Sequence, residues 1–241
     1  MDFQTLVDTD AVGIKIEHDE AIMMLGSCFA EDVGNLLKRS MLALCINPFG
    51  TLYNPRSIAQ SLRRLIADLP FSADKLVAYG NLWHSMSHHS RFSSVDKDRA
   101  LQKINAAYAE GVACLRSARH LIVTFGTAYT FSTADGETVA NCHKMPASMF
   151  NRRMLSANEI ADEWIPLIDD IRKFNPHIDI TFTVSPVRHL ADGAHGNQLS
   201  KSTLLLASDS IMAQRPGVCH YFPSYEICLL YTFSEPTRRR G

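Results

Sequence analysis

Four short apolar runs, each closed by small or polar residues, constrain the fold of this chain most tightly. They read "AIMMLG" (21–26), "MLALCIN" (41–47), "HLIVTFG" (120–126) and "HIDITFTVSP" (177–186). Each is short for a helix, and most are continuously apolar rather than alternating. Strands of that kind are buried on both faces, which implies a parallel sheet held between two helical layers.

The segments between the runs supply helices for those layers. Residues 30–39 set Val33, Leu36 and Leu37 on one face, with Glu31 and Asp32 in the first turn, where acidic groups suit the helix dipole. "NPRSIAQSLRRLIAD" offers Asn54 as N-cap and Pro55 at the first helical position, ahead of Ile58, Leu62, Leu65 and Ile66. Residues 95–118 predict a long helix through Ile104, Ala107, Tyr108 and Cys114. Ser156 and Glu159 stand at capping-box spacing before Ile160, Trp164, Leu167, Ile168 and Ile171. Pro166 inside that pattern predicts a kink or a break. "LSKSTLLLASDSIMAQ" adds a helix, and "VCHYFPSYEI" a fifth strand at an edge.

Two segments interrupt the alternation. "TAYTFSTADGETVAN" predicts a β-hairpin turning at Ala134, Asp135 and Gly136. "KLVAYGNLWHSMSHHSRFSS" predicts a strand and then a polar, solvated surface loop. Its histidines are not spaced to bring two imidazoles onto one face, so no metal is expected there. The expected architecture is α/β: a three-layer sandwich around a mostly parallel sheet of about five strands, with a hairpin insertion. One domain is expected over residues 1–227, followed by a divergent tail, 228–241.

The 241 residues carry a net charge of -1, which argues against nucleic acid or an anionic membrane surface as partner. No segment reaches the roughly 18 apolar residues of a membrane span, and the acidic N-terminus does not read as a signal peptide. A cytoplasmic protein acting on a small molecule is expected, its oligomeric state left open. The six cysteines show no CxxC spacing, against zinc or a disulfide framework; Cys45, Cys114 and Cys228 read as buried small hydrophobes. "GAHGNQLSK" lacks the spacing of a nucleotide loop and reads as a loop at the active edge. No cofactor is expected.

In parallel sheets, ligands bind outside the carboxyl ends of the strands. Those ends carry Gly26, Ser27 and Cys28; Asn47, Pro48, Phe49 and Gly50; Gly126, Thr127 and Ala128; and Ser185, Pro186, Val187, Arg188 and His189. A thiol or hydroxyl at a strand-to-helix corner suits a nucleophile, because a helix N-terminus favours negative charge and its amides can hold an oxyanion. Against this, Ser27 and Cys28 could simply cap the helix and pack beneath it. Candidate bases are His189, His143, His195 and His89. His189 could instead pair with Asp192 at the surface, and His143 could fix its loop through a backbone hydrogen bond. Arg188 and Lys144 are candidates for holding an anionic substrate group, and Arg152 and Arg153 read as a solvated helix start.

Several motifs in order, "GSCFAEDVG", "NPFGTLYNP", "TFGTAYTF", "ANCHKMPASMFNRRMLS" and "SPVRHLADGAHGNQLSKSTLLLA", resemble the GSCFA-domain family, roughly over residues 3–227. That family is placed in the SGNH/GDSL hydrolase superfamily. The resemblance implies ester or acyl-transfer chemistry on a small acylated substrate, a carbohydrate ester among the candidates, with a catalytic role for Cys28 or Ser27. "GSCFAEDVG" is similar to the superfamily block "GDSFTEGVG", which sets Cys28 at the nucleophile and Ser27 at the aspartate. Gly50 and Gly126 correspond to oxyanion positions, and Asn47, His143, Lys144 and Arg188 to the substrate's surroundings. Ala128 stands where the superfamily's third block has an asparagine. The ending "CLLYTFSEPTRRRG" carries no Asp-x-x-His block, so the usual base is expected to be missing, which leaves open whether this form is active. A non-catalytic binding or structural module on the same scaffold is the alternative.

Overall fold

The computed structural model describes residues 14–231, together with residues 7 and 9. Its centre is a five-stranded sheet of β1 (Ala21–Gly26), β2 (Ala43–Ile46), β5 (His120–Phe125), β9 (Asp179–Val184) and β10 (Cys219–Tyr221). The spatial order is β10-β9-β5-β1-β2, and every pairing is parallel. Counted by chain position from the β2 edge, the order is second, first, third, fourth, fifth. The connections therefore reverse direction between β1 and β5, and in sheets of this kind a ligand crevice forms at the carboxyl ends of such a pair.

The strands are buried on both sides, as their apolar runs require. Met23, Leu25, Leu121, Val123, Phe125, Ile180, Phe182 and Val184 point into the main core. There they meet α2 (Pro55–Ala67), α3 (Lys97–Ser117), α4 (Ala157–Phe174) and α5 (Gly193–Gln214). Phe125, Trp164 and Phe182 form an aromatic cluster with ring centroids 5.2–5.5 Å apart. The other face, with Met24, Ile122, Thr124 and Thr181, meets α1 (Cys28–Arg39) and α6 (Ser224–Tyr231).

Local chemistry fixes the helix starts. Asn54 Oδ1 accepts from the Ser57 N–H at 2.8 Å, with Pro55 opening α2. Ser156 and Glu159 complete the capping box of α4. Pro166 lies within α4, whose helical span continues through it.

The expected hairpin is present as β6 (Tyr129–Ser132) and β7 (Thr138–Val139), and β8 (Asn151–Met154) joins its other side to make a small antiparallel sheet. Arg152 and Arg153 thus belong to β8 rather than to a helix start. Arg152 bonds Asp192 and lies over the Tyr129 ring, and Arg153 pairs with Glu159 at 2.7 Å.

Segment 76–94 is also more ordered than its polarity suggests. It forms an antiparallel hairpin, β3 (Leu76–Tyr79) and β4 (Leu82–Ser85), followed by a 3-10 turn at Ser90–Phe92. His84 and His88 are buried there instead of solvated. "GAHGNQ" is the first turn and a half of α5, not a loop, and the segment after β10 turns into α6 instead of prolonging an edge strand. Cys219 is buried, whereas Cys45, Cys114 and Cys228 are only half-buried. No helix among the described residues is long and apolar enough to cross a membrane.

Candidate active site

The switch point is built by hydrogen bonds that draw three strand ends together. The loop after β2 folds over the end of β1. The Asn47 N–H donates to Met24 O at 2.9 Å, and Asn47 Oδ1 accepts from the Gly26 N–H at 2.8 Å. The Leu52 N–H returns to Gly26 O at 2.9 Å. Tyr53 O then accepts from the N–H groups of Gly126 and Thr127, at 2.8 and 2.9 Å, which ties the loop to the end of β5. Gly26 sits at φ +142°, and a Cβ there would lie 2.1 Å from Thr124 O, so only glycine fits this corner.

Ser27 and Cys28 follow at the start of α1. Ser27 is 1% exposed, makes no capping bond through its side chain, and its Oγ has no partner among the described residues. Its Cβ lies close against Gly126, where an added Cβ would be 3.2 Å away. Cys28 is half-buried at the first helical position. The leading amides of a helix lack intrahelical acceptors, so an uncapped N-terminus presents N–H groups to whatever occupies the crevice.

Lys201 comes up from α5 beneath the same strand ends. It is 0% exposed, and its Nζ donates to Gly126 O at 2.6 Å and to Ser185 O at 2.7 Å. Burial pulls its amine down to about 8, opposed by the charge of Cys28. Tyr53 is half-buried, and its phenol is raised by burial first and then by the charges of Cys28 and Glu31. His189 rests edge-on against the Tyr53 ring at 5.6 Å. Burial lowers its imidazole, with Lys201 and Arg152 acting in the same direction and Asp192 opposing.

Ser27, Cys28, Gly126 and His189 are therefore gathered along one rim. The sequence reading missed Lys201 and Tyr53. Lys201 lies on the buried face of α5 with Asn197, Ser200, Leu204, Ala207, Ser208 and Ile211, a face too polar for apolar periodicity to mark. A lysine at that spacing has to find a polar partner inside.

Other expected residues take different positions. The Gly126 N–H is bonded to Tyr53 O, and the Gly50 N–H donates to Asn47 O at 2.7 Å. Neither amide is free for an oxyanion in this arrangement. Asn47 is 0% exposed and braces the β1 corner, so its carboxamide oxygen serves the fold instead of a substrate. His143 is buried, with Nε2 2.8 Å from Ser85 O and its ring 4.4 Å from that of His84. It pins the insertion loop to β4. Burial, His84 and His89 lower its imidazole, opposed by the Ser85 carbonyl. Lys144 and Arg188 are exposed. The Asp192 carboxylate bonds Arg152, while its N–H donates to His189 O at 3.1 Å. Among the described residues, no group of three or more His, Cys, Asp or Glu side chains could hold a metal ion.

A family model described as the GSCFA family matches residues 21–235. The chain belongs to the GSCFA family. The match begins later and ends later than the 3–227 span of the motifs. No curated protein sequence is significantly similar to this GSCFA chain. Among solved structures, an acetyl xylan esterase from the rumen bacterium Butyrivibrio proteoclasticus aligns at 11% identity with a TM-score of 0.39. The alignment takes in 87% of the GSCFA chain and 56% of the esterase chain, so the chain spans just over half of that protein's length.

Proposed function

We propose that this protein is an acyl hydrolase or acyltransferase on an SGNH-like scaffold, with Cys28 attacking the ester carbonyl of a small acylated substrate, a carbohydrate ester among them. The observation that carries this reading is the position of Cys28: half-buried, at the uncapped start of α1, in the switch-point crevice above a fully buried lysine. The leading amides of α1 hold the developing oxyanion, the place that the bonded amides of Gly50 and Gly126 do not fill. His189 lies at the rim, where it meets the leaving alcohol, and Arg188 beside it faces the solvent side of the substrate. Attack by sulfur gives a thioester, which water or a second alcohol resolves.

The test is release of p-nitrophenol from p-nitrophenyl acetate. The wild type turns the ester over, Cys28→Ala falls to the buffer rate, and Ser27→Ala retains part of the activity. Cys28→Ala working at the wild-type rate would remove the nucleophile.

A second reading, a non-catalytic binding module, is favoured by two observations. The Gly50 and Gly126 amides are committed to backbone carbonyls, and Ala128 offers no side-chain donor. It requires a wild type inert toward activated esters.

A further inference from the structure

Lys201 ties the ends of β5 and β9 together through two carbonyls, but with no counter-charge among its bonded partners. Its ammonium would be fully buried, and among the described residues it meets two carbonyl oxygens but no carboxylate. Burying an unpaired ammonium is costly, and a buried amine avoids that cost by shedding its proton. A neutral amine has two N–H donors and one lone pair. Gly126 O and Ser185 O take up the two donors, at 2.6 and 2.7 Å. The lone pair remains. Lys201 Nζ is bonded to the carbonyl of Gly126, the residue against which Ser27 packs, so Cys28, next in the chain, starts α1 beside the amine and acts on it electrostatically. Lys201 acts in turn on His189 after β9, which rests edge-on against Tyr53 of the 47–54 loop. Glu31 acts on Tyr53 from α1, and Arg152 on β8 and Asp192 at the start of α5 act on His189. Cys28 acts electrostatically on Lys201 and Tyr53, whereas the charges that act on His189 are those of Lys201, Asp192 and Arg152.

We propose that Lys201, as a neutral amine, is the group that takes the proton from Cys28 as its sulfur attacks an electrophile, directly or through one water. For an ester this rests on the acyl-transfer reading above. The S–H bond breaks as the N–H bond forms, and sulfur adds to the carbonyl carbon. The ammonium then protonates the departing alkoxide as the C–O bond breaks, leaving an acyl thioester and a neutral lysine. In the second half, water gives its proton to Lys201 and its oxygen to the acyl carbon. The C–S bond breaks, and the sulfur recovers the proton from Lys201.

Two readouts separate this dyad from the acyl-transfer reading. The first is the alkylation rate of Cys28 by iodoacetamide between pH 6 and 9, followed on the Cys28 peptide by mass spectrometry in the wild type and in Lys201→Met. The second is p-nitrophenyl acetate turnover by the same proteins. In Lys201→Met, alkylation at pH 7.5 slows by about ten-fold or more and turnover by about a hundred-fold, the scale of a lost general base. Slowed alkylation in a protein with no esterase activity supports the dyad and removes only the ester reading. Cys28-dependent turnover and alkylation that are both unchanged in a folded Lys201→Met overturn the dyad alone. Should Lys201→Met fail to fold, 13C-lysine NMR of the wild type decides the matter. The lysine resonance that moves when Cys28 is alkylated titrates near pH 8, and its staying protonated to pH 10 overturns the proposal.

Discussion

At the scale of single residues, the crevice depends on positions that tolerate almost no change. Gly26 is the clearest. Its φ of +142° and the 2.1 Å approach of Thr124 O leave no room for a methyl group. Gly26→Ala should destabilise the fold by roughly 3 kcal/mol or more, a strained backbone and a clash with main chain acting together. Chemical denaturation of the variant checks this, and an unchanged midpoint would mean that the corner relaxes. This glycine was legible in the sequence as the end of an apolar run. Lys201 was not, because the buried face of α5 mixes Asn197, Ser200, Lys201 and Ser208 with Leu204, Ala207 and Ile211. Apolar periodicity cannot reveal a face whose role is to carry polar atoms to the strand ends. Asn47 shows the converse: a polar residue at a strand end read as a substrate contact, yet the Gly26 amide claims its oxygen.

At the scale of elements, the histidine-bearing hairpin is the part that sequence polarity misrepresented. His88 stacks on Phe49 with ring centroids 4.9 Å apart and bonds Ser85 Oγ at 2.7 Å; His84 bonds Ser93 Oγ at 2.7 Å. These side chains form a hydrogen-bonded layer between the hairpin and the main domain. Burial, then the neighbouring His143 and Arg64, lowers the His88 imidazole to about 3. In the unfolded chain, His88 takes up a proton near pH 6.5, whereas in the fold it does not until about pH 3. Between those values the unfolded state binds more protons, so stability is lost as pH falls through that window. The melting temperature of the wild type should decline from pH 7 to 5.5, above the range where most carboxylates titrate. His88→Leu should flatten that decline, and identical slopes in the two proteins would contradict the buried, neutral state. Other elements were legible from capping chemistry: Asn54 with Pro55, and Ser156 with Glu159, act locally and do not wait on tertiary contacts. The start of α5 at Gly193 and the helix at Ser224–Tyr231 were hidden, the first by glycines that usually mark loops and the second by aromatic residues that suit strands.

At the scale of the whole molecule, the parallel order β10-β9-β5-β1-β2 makes the site. It brings the ends of β1, β5 and β9 side by side, so that Ser27, Gly126 and Ser185 become neighbours although they are far apart in the chain. The alternation of buried runs and helices implied this sheet from the sequence, but not how unevenly its two faces are covered. Helices α2 to α5 pack one face. The face under α1 and α6 keeps an apolar cavity of about 350 Å³, bordered by Met24, Phe29, Val33, Leu37, Ile122 and Phe222. The proposed activity depends on sulfur chemistry at the strand ends above Lys201. The direct measurement is to quench the wild type during turnover of p-nitrophenyl acetate and map acetyl groups onto its peptides. A single acetyl thioester on Cys28, absent when Cys28 is replaced by alanine, is the predicted result. Turnover with Cys28 unmodified, or acetylation confined to surface lysines, would contradict it.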